Sequence, residues 1–176
     1  MEKEYPPLIY SINRILDCGF SVEEVVNIDQ EGIQIGYGMN FVFSEEENWI
    51  QYTIRTDFKN ANNESFFTGT VLTRFGIENF NQFINEQGQV VFPSGFLEML
   101  FGISFSHMRA ILAKNISGSK FSTLVVPIIN PKELFNNLLK LNIEKFKEFA
   151  ESVGSQTPIP DSPVAFATTK RKKSKK

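Results

Sequence analysis

The residues able to do chemistry in this 176-residue chain are few and scattered. His107 is the only histidine and Cys18 the only cysteine, so neither can join a His/Cys metal cluster, and no internal disulfide can form. His107 lies among apolar residues at helical spacing, which favours a core or interface side chain over a general base. Cys18 is expected to be a buried thiol. We therefore predict no catalytic site, no metal site and no cofactor.

Three short motifs come near to chemical signatures without matching them. Residues 102–106 read GISFS, which lacks the final glycine of a nucleophile elbow and falls inside a predicted helix. Residues 36–38 read GYG, but they lie inside an alternating strand and no helix N-terminus follows to bind phosphate. Glu45 to Glu47 are adjacent on a turn, where carboxylates are usually solvated. An enzyme is therefore the least favoured class.

The charge is unevenly distributed along the chain. The net charge of −2 comes from 18 basic and 20 acidic residues, but six of the basic residues lie between Lys170 and Lys176. Residues 1–169 therefore hold 12 basic and 20 acidic residues and carry a net charge of −8. The basic end predicts either a solvated tail or a contact with phosphates. It has no interleaved aromatic residues for base stacking, which disfavours specific nucleic-acid binding.

The composition is that of a folded domain, with 41% hydrophobic and 22% charged residues. No apolar run approaches the roughly 18–20 residues that a membrane span needs, and no basic-then-apolar leader opens the chain. The single cysteine fits a reducing compartment. We therefore expect a cytoplasmic protein without membrane insertion.

Three segments alternate apolar and polar residues with a period of two, which predicts strands near 33–43, 50–58 and 67–77. Residues 12–20 suit either a strand or a helix face, and Gly19 with the apolar residues from Val22 to Ile28 favours a strand. Ile12, Arg14, Leu16, Cys18 and Phe20 would then share one side of it. Because short turns join antiparallel neighbours, we expect a four-stranded antiparallel meander.

The apolar period then changes to three and four residues, which predicts two helices. Pro93 opens the first, which should end near 115–118, whereas Asn130 and Pro131 open the second as its cap and first residue. Residues 1–153 are therefore expected to form one α+β domain, a four-stranded antiparallel sheet followed by two helices. Residues 154–176 are expected to form a disordered basic tail.

Phenylalanine is unusually abundant, since 18 of the 23 aromatic residues are Phe. Such rings add large apolar area without a polar group to satisfy. Either the aromatic residues of the strands pack beneath the helices, or some of them line an exposed groove. The second alternative is open because a sheet has two faces and only two helices are available to cover them.

Several short phrases resemble the SecB family of export chaperones. Phe92-Pro93 resembles the start of that family's first long helix. Residues 121–130 (FSTLVVPIIN) resemble its extended linker, and residues 17–21 (DCGFS) the end of its first strand. The chain departs at 118–122, where GSKFS stands for Gly-Gly-Phe-Pro, and in the basic tail, which differs from the tail through which export members engage the SecA motor.

The resemblance implies a holdase, assembled as a dimer of dimers, that binds non-native polypeptides in hydrophobic grooves without nucleotide or metal. Some relatives pass clients to SecA and others protect an unstable antitoxin; the different tail means that client binding is implied more directly than delivery to SecA. Candidate residues for client binding are Phe20, Phe41, Phe43, Tyr52, Phe135 and Leu139. Candidate residues for the oligomer interface, all on the first helix, are Leu100, Ser104, His107 and Ile111. The alternative is a non-catalytic adaptor or assembly subunit with one dedicated protein partner.

Overall fold

The structure is a computed structural model and describes residues 8–23, 32–93 and 95–152, with the side chains of 145–152 excepted. Its strands are β1 (Tyr10–Val22), β2 (Gln34–Ser44), β3 (Trp49–Lys59) and β4 (Ser65–Ile77). A short 3-10 helix at Phe80–Phe83 precedes the helices α1 (Phe96–Ile116) and α2 (Pro131–Ser152). The predicted antiparallel sheet followed by two helices is confirmed. The predicted tail and the apolar residues Val25 to Ile28 lie outside the described residues.

The strand order is β1-β4-β3-β2, with every neighbouring pair antiparallel. The meander prediction holds for β2, β3 and β4, which follow one another through short turns. It is wrong for β1, which pairs with β4 and so stands at the opposite edge of the sheet from β2. A short turn dictates only the pairing of the strands that it connects, whereas residues 23–33 separate β1 from β2 and leave that pairing open.

The strand prediction for residues 12–20 is confirmed, but the single apolar face is not. Two register irregularities interrupt β1, between Ile12 and Arg14 and again between Asp17 and Gly19. Each adds a residue to β1 relative to β4 and reverses the side to which the next side chains point. Ile12 lies opposite Phe75, whereas Arg14 lies opposite Arg74, the neighbour of Phe75 that points to the other face.

Both helices cover the same face of the sheet, which we call the helix-covered face. On this face, the central strand β3 contributes the buried residues Ile50, Tyr52, Ile54, Thr56 and Phe58. The odd-numbered residues of β3 and the even-numbered residues of β4 from Thr68 onward form the open face, where no side chain is buried. Because the helices cover only one face, each strand has one side in the core and one side towards solvent. This explains the alternation of apolar and polar residues in the sequence.

α1 is the central core helix, and nine of its 21 side chains are buried. Its Leu112 lies directly over Gly69 of β4, where a Cβ atom would collide with Leu112 Cδ2. The sequence analysis expected no segment long and apolar enough for a membrane span. The structure corrects this expectation, because α1 meets that criterion by length and composition. Among the described residues no other helix does. Packing against the sheet accounts for this apolar composition.

The helix starts follow local sequence signals. α1 begins at Phe96, three residues after Pro93, because Gly95 adopts the left-handed conformation (φ 79°) that precedes the first turn. α2 begins as predicted: Lys132 N donates to Asn130 Oδ1 at 3.1 Å, and Leu134 N donates to Asn130 O at 3.1 Å. An extended segment was expected to begin at Phe121, but residues 121–123 form a turn in which Leu124 N donates to Phe121 O at 2.8 Å; the described residues 124–130 that follow form neither helix nor strand.

Candidate functional site

Aromatic rings gather at one end of the helix-covered face. Neighbouring centroids lie 5.1 to 6.5 Å apart, mostly in tilted or edge-to-face pairs, which are the favourable arrangements for aromatic side chains. This aromatic cluster consists of Phe41, Phe43, Tyr52, Phe80, Phe83, Phe92, Phe96, Phe101 and Phe135.

Three rings of the cluster, Phe41, Phe43 and Phe92, are only partly buried, and we call them the aromatic rim. Phe92 lies 6.5 Å from Phe41 and 5.9 Å from Phe43, centroid to centroid. Beneath them, Phe43 stacks on the buried Phe80 at 6.1 Å. The rim is therefore a partly accessible apolar surface, and the rings beneath it are packed in the core.

α2 lies beside β2 and carries further apolar side chains. Asn142 Nδ2 donates to Met39 O at 2.9 Å, which places α2 beside this edge strand. Leu139, about one turn earlier on α2, is half-buried and packs against the core. Leu141 and Ile143 are 50% and 44% exposed. Apolar side chains are therefore accessible from both β2 and α2.

Two of the predicted client-binding residues lie in the closed core. Tyr52 is fully buried and its hydroxyl donates to Leu97 O at 2.9 Å. Burial raises the pKa of Tyr52 well above its usual value. Phe135 is also buried, and its ring lies 6.4 Å from that of Tyr52. A client reaches neither ring in this conformation, which corrects the expectation that both line an open groove.

Phe20 is accessible but does not join the rim. It is 40% exposed on β1 and makes an edge-to-face contact with Phe67 at 5.5 Å. Because β1 and β2 occupy opposite edges of the sheet, Phe20 is separated from Phe41 and Phe43 by the two central strands. The predicted groove residues therefore fall into an accessible pair on β2, a half-buried leucine on α2, a buried pair, and the separate Phe20.

The predicted oligomer interface on α1 faces the protein's own sheet. Leu100 and Ser104 are buried, and Ser104 Oγ donates to Leu100 O at 2.9 Å. His107 and Ile111 are half-buried, and His107 Nδ1 lies 3.2 Å from Thr73 Oγ1. Burial lowers the pKa of His107. Leu100 and Ser104 are thus not available to a second subunit in this conformation, because α1 uses them to pack on the sheet.

Phe80, Phe83 and Phe92 of the cluster were not among the predicted site residues. Phe80 and Phe83 lie in the connection between β4 and α1, where the pattern indicated neither a strand nor a long helix. Their three-residue spacing is the signal of a single helical turn. A β-bridge between Ile84 and Val90 closes the loop that follows and leads into Phe92.

Within the described ranges, no group of three or more His, Cys, Asp or Glu side chains is positioned to hold a metal ion. Cys18 is exposed rather than buried, because it lies at the second register irregularity of the edge strand β1.

No family model matches this chain. No curated protein matches it either. Among solved structures it is similar to a SecB-like chaperone of Mycobacterium tuberculosis in complex with a ChAD peptide from the HigA1 antitoxin, with a TM-score of 0.45 and 8% identity over 68% of this chain and 90% of that one. It is also similar to a Streptococcus agalactiae protein of unknown function, with a TM-score of 0.37 and 9% identity over 70% and 99% of the two chains. With TM-scores below 0.5, neither similarity bears on function.

Proposed function

We propose that this protein is a SecB-like, non-catalytic chaperone that holds unfolded polypeptides against the aromatic rim and the adjoining side of α2. One observation carries the proposal: Phe41, Phe43 and Phe92 stay partly exposed although each contacts a buried ring. Leu139 adds a half-buried apolar side chain on α2. The resemblance of the sequence phrases to the SecB family supports the same function.

The chemistry of this surface suits clients of many sequences. Burial of each 100 Å² of apolar area contributes roughly 2.5 kcal/mol, before the entropy cost of ordering the client is subtracted. The contact is non-directional, so it selects bulky apolar side chains rather than one motif. β2 is also an edge strand, and an extended client can add main-chain hydrogen bonds along such an edge.

The proposal needs neither nucleotide nor metal, and it places the protein in the cytoplasm, where the free thiol of Cys18 stays reduced. We further propose a homo-oligomer, since an oligomer would multiply the client contacts of each rim. Delivery to SecA and protection of an antitoxin stay predictions that rest on the resemblance alone.

Photo-crosslinking tests the client surface directly. A benzoylphenylalanine placed at position 43 or 92 is expected to crosslink to a reduced, unfolded client protein. The matched control is position 42, because Val42 is the neighbour of Phe43, points to the open face and is 37% exposed. Equal crosslinking from positions 42 and 43 would contradict the assignment of the rim.

Suppression of aggregation tests the activity. The wild-type protein is expected to keep the same client soluble at equimolar ratio, and Phe43→Ser with Phe92→Ser should lose most of that protection. Thermal melts must show that the double variant folds. If it does not fold, crosslinking from position 43 tests the same surface. Capture of one stoichiometric folded partner, without protection of unfolded clients, would instead favour the dedicated adaptor.

A further inference from the structure

The open face of the sheet carries a positive charge on an otherwise acidic protein. Arg14, Arg55 and Arg74 all point to this face, from β1, β3 and β4. The other charged residues of β3 on this face are Asp57 and Lys59. Lys59 Nζ lies 4.0 Å from Asp57 Oδ2, so their opposite charges offset one another. Arg14 and Arg74 are neighbours in register and Arg55 lies four residues further along the same face, although residues 1–169 carry a net charge of −8.

None of the three guanidinium groups has a carboxylate partner within the described residues. Arg14 and Arg55 are exposed and make no hydrogen bond through their side chains. Arg74 donates from Nε and Nη2 to the amide oxygen of Gln51, at 3.0 and 2.8 Å, and its guanidinium lies 4.2 Å from the centre of the Trp49 ring. Arg14 and Arg74 are directly opposite one another in register, an arrangement that is repulsive between like charges.

Beside Arg55 the surface is bare, because Gly38 and Gly36 lie opposite Arg55 and Asp57 on β2. They leave a shallow depression of about 260 Å³ lined by these four residues and Tyr37. A Cβ atom at Gly36 or Gly38 would meet its nearest neighbour only at 3.7 or 3.9 Å, so packing within the chain does not require glycine there. Glycine in a strand interior commonly marks the close approach of another backbone.

We propose that the open face binds an acidic, extended peptide segment of a partner protein. Its carboxylates would pair with Arg55 and with the Arg14–Arg74 pair, since guanidinium groups bind carboxylates through two parallel hydrogen bonds. Its backbone would lie over Gly36 and Gly38. Charge complementarity selects this occupant, and an anion between Arg14 and Arg74 would relieve their repulsion.

The observations favour a peptide over nucleic acid or a membrane. Trp49, the one aromatic residue of the open face on β3, already has Arg74 against its ring and its Nε1 bonded to Glu47 Oε2 at 2.5 Å, so it is not free to stack on a base. The net charge of −8 on residues 1–169 opposes the approach of a densely charged polyanion more than that of a short peptide. This proposal is independent of the proposed function, because the rim lies on the helix-covered face.

Fluorescence anisotropy with a labelled 12-residue peptide of alternating Glu and Ser tests the proposal on the full chain. The variant Arg14→Glu with Arg55→Glu is expected to bind at least tenfold more weakly than the wild type. The matched control, Lys114→Glu with Lys140→Glu, has the same change in net charge at two exposed helical positions and should bind within twofold of the wild type. The basic residues 170–176 are identical in all three proteins.

Three outcomes would overturn the proposal. The first is no binding to the wild type, and the second is equal weakening in both variants, which would reflect net charge alone. The third is tighter arginine-dependent binding of a 12-nucleotide single strand or of phosphatidylserine vesicles than of the peptide.

The uncharged variant Gly38→Thr tests the position of the peptide backbone. It should weaken peptide binding at least threefold by filling the depression, and an unchanged affinity would contradict the placement over β2. Retained aggregation suppression in the arginine variant keeps this test distinct from that of the proposed function.

Discussion

At the scale of single residues, glycines with similar sequence surroundings have opposite roles. Gly69 lies under α1, and its missing side chain allows Leu112 to approach the sheet. Gly38 lies on the open face, where nothing in the chain fills the space above it. The alternating pattern marks both as strand glycines, but only the position of the helices shows that one serves packing and the other does not.

Gly69→Ala is expected to destabilise the protein by about 1–3 kcal/mol, because Leu112 is buried and must leave its rotamer to admit the new methyl group. Gly38→Ala is the matched control and should stabilise by roughly 0.5–1 kcal/mol, since its Cβ meets only ordinary contacts and the unfolded chain loses freedom. Urea unfolding measures both. Equal effects of the two substitutions would contradict the packing of α1 over Gly69.

His107 makes stability depend on pH. Burial lowers its pKa below the usual 6.5, so the unfolded chain binds the proton more readily than the folded one. The contribution of the neutral ring is therefore complete above about pH 6.5 and is lost as the pH falls below that value. His107→Gln keeps a partner for Thr73 without titrating. The wild type should thus lose more unfolding free energy than the variant between pH 7.5 and pH 5.5, and parallel losses would contradict this role.

At the scale of elements, β1 is the most exposed strand of the sheet. It is an edge strand of 13 residues, and its outer backbone groups have no strand partner among the described residues. Ile9, directly before the strand, and Ile12 and Ile15 within it are 47%, 47% and 41% exposed. A long apolar edge pairs readily with another chain. The sequence analysis sought the oligomer interface on α1, whereas β1 offers an exposed apolar edge.

The homo-oligomer is expected to assemble through this edge. Ile12→Lys with Ile15→Lys should convert the oligomer to monomer, because two charges would be placed in the paired strands. Val125→Lys with Ile128→Lys is the control, since these linker residues are even more exposed, at 72% and 86%. Light scattering after size-exclusion chromatography gives the mass. An oligomer that survives the β1 substitutions, or a monomeric wild type, would contradict the prediction.

At the scale of the whole molecule, the fold separates two chemistries on the two sides of one sheet. The helix-covered face carries the apolar core and the aromatic rim, whereas the open face carries the arginines. The described core begins with residues packed around Leu8 and ends at Leu139.

Deletion of residues 154–176 is expected to leave the melting temperature within about 2 °C of the wild type, because the buried apolar residues of the described core lie between Met39 and Leu138. Suppression of client aggregation should also be retained, since the rim lies within the domain. The same deletion should not alter the difference in peptide affinity between the arginine variant and its control. A large loss of thermal stability would show that the segment packs on the domain and would contradict the predicted boundary at residue 153.

The sequence by itself determined the local structure of this protein. Period-two alternation located β2, β3 and β4, helical periodicity located α1 and α2, and Asn130 with Pro131 marked the start of α2. These signals are local because backbone conformation and one-sided burial repeat within a few residues. The abundance of phenylalanine likewise indicated apolar area in excess before any contact was known.

The tertiary structure alone decided which side chains share a surface. It placed β1 beside β4, closed Tyr52 and Phe135 into the core, left Phe41 and Phe43 at a rim with Phe92, and brought Arg14 to the same face as Arg55. Pairing between distant strands and the two register irregularities of β1 depend on contacts far apart in the chain, and a shift of one residue moves a side chain to the other face. Periodicity shows that a strand has one apolar and one polar side. Only tertiary packing determines which residues each side contacts.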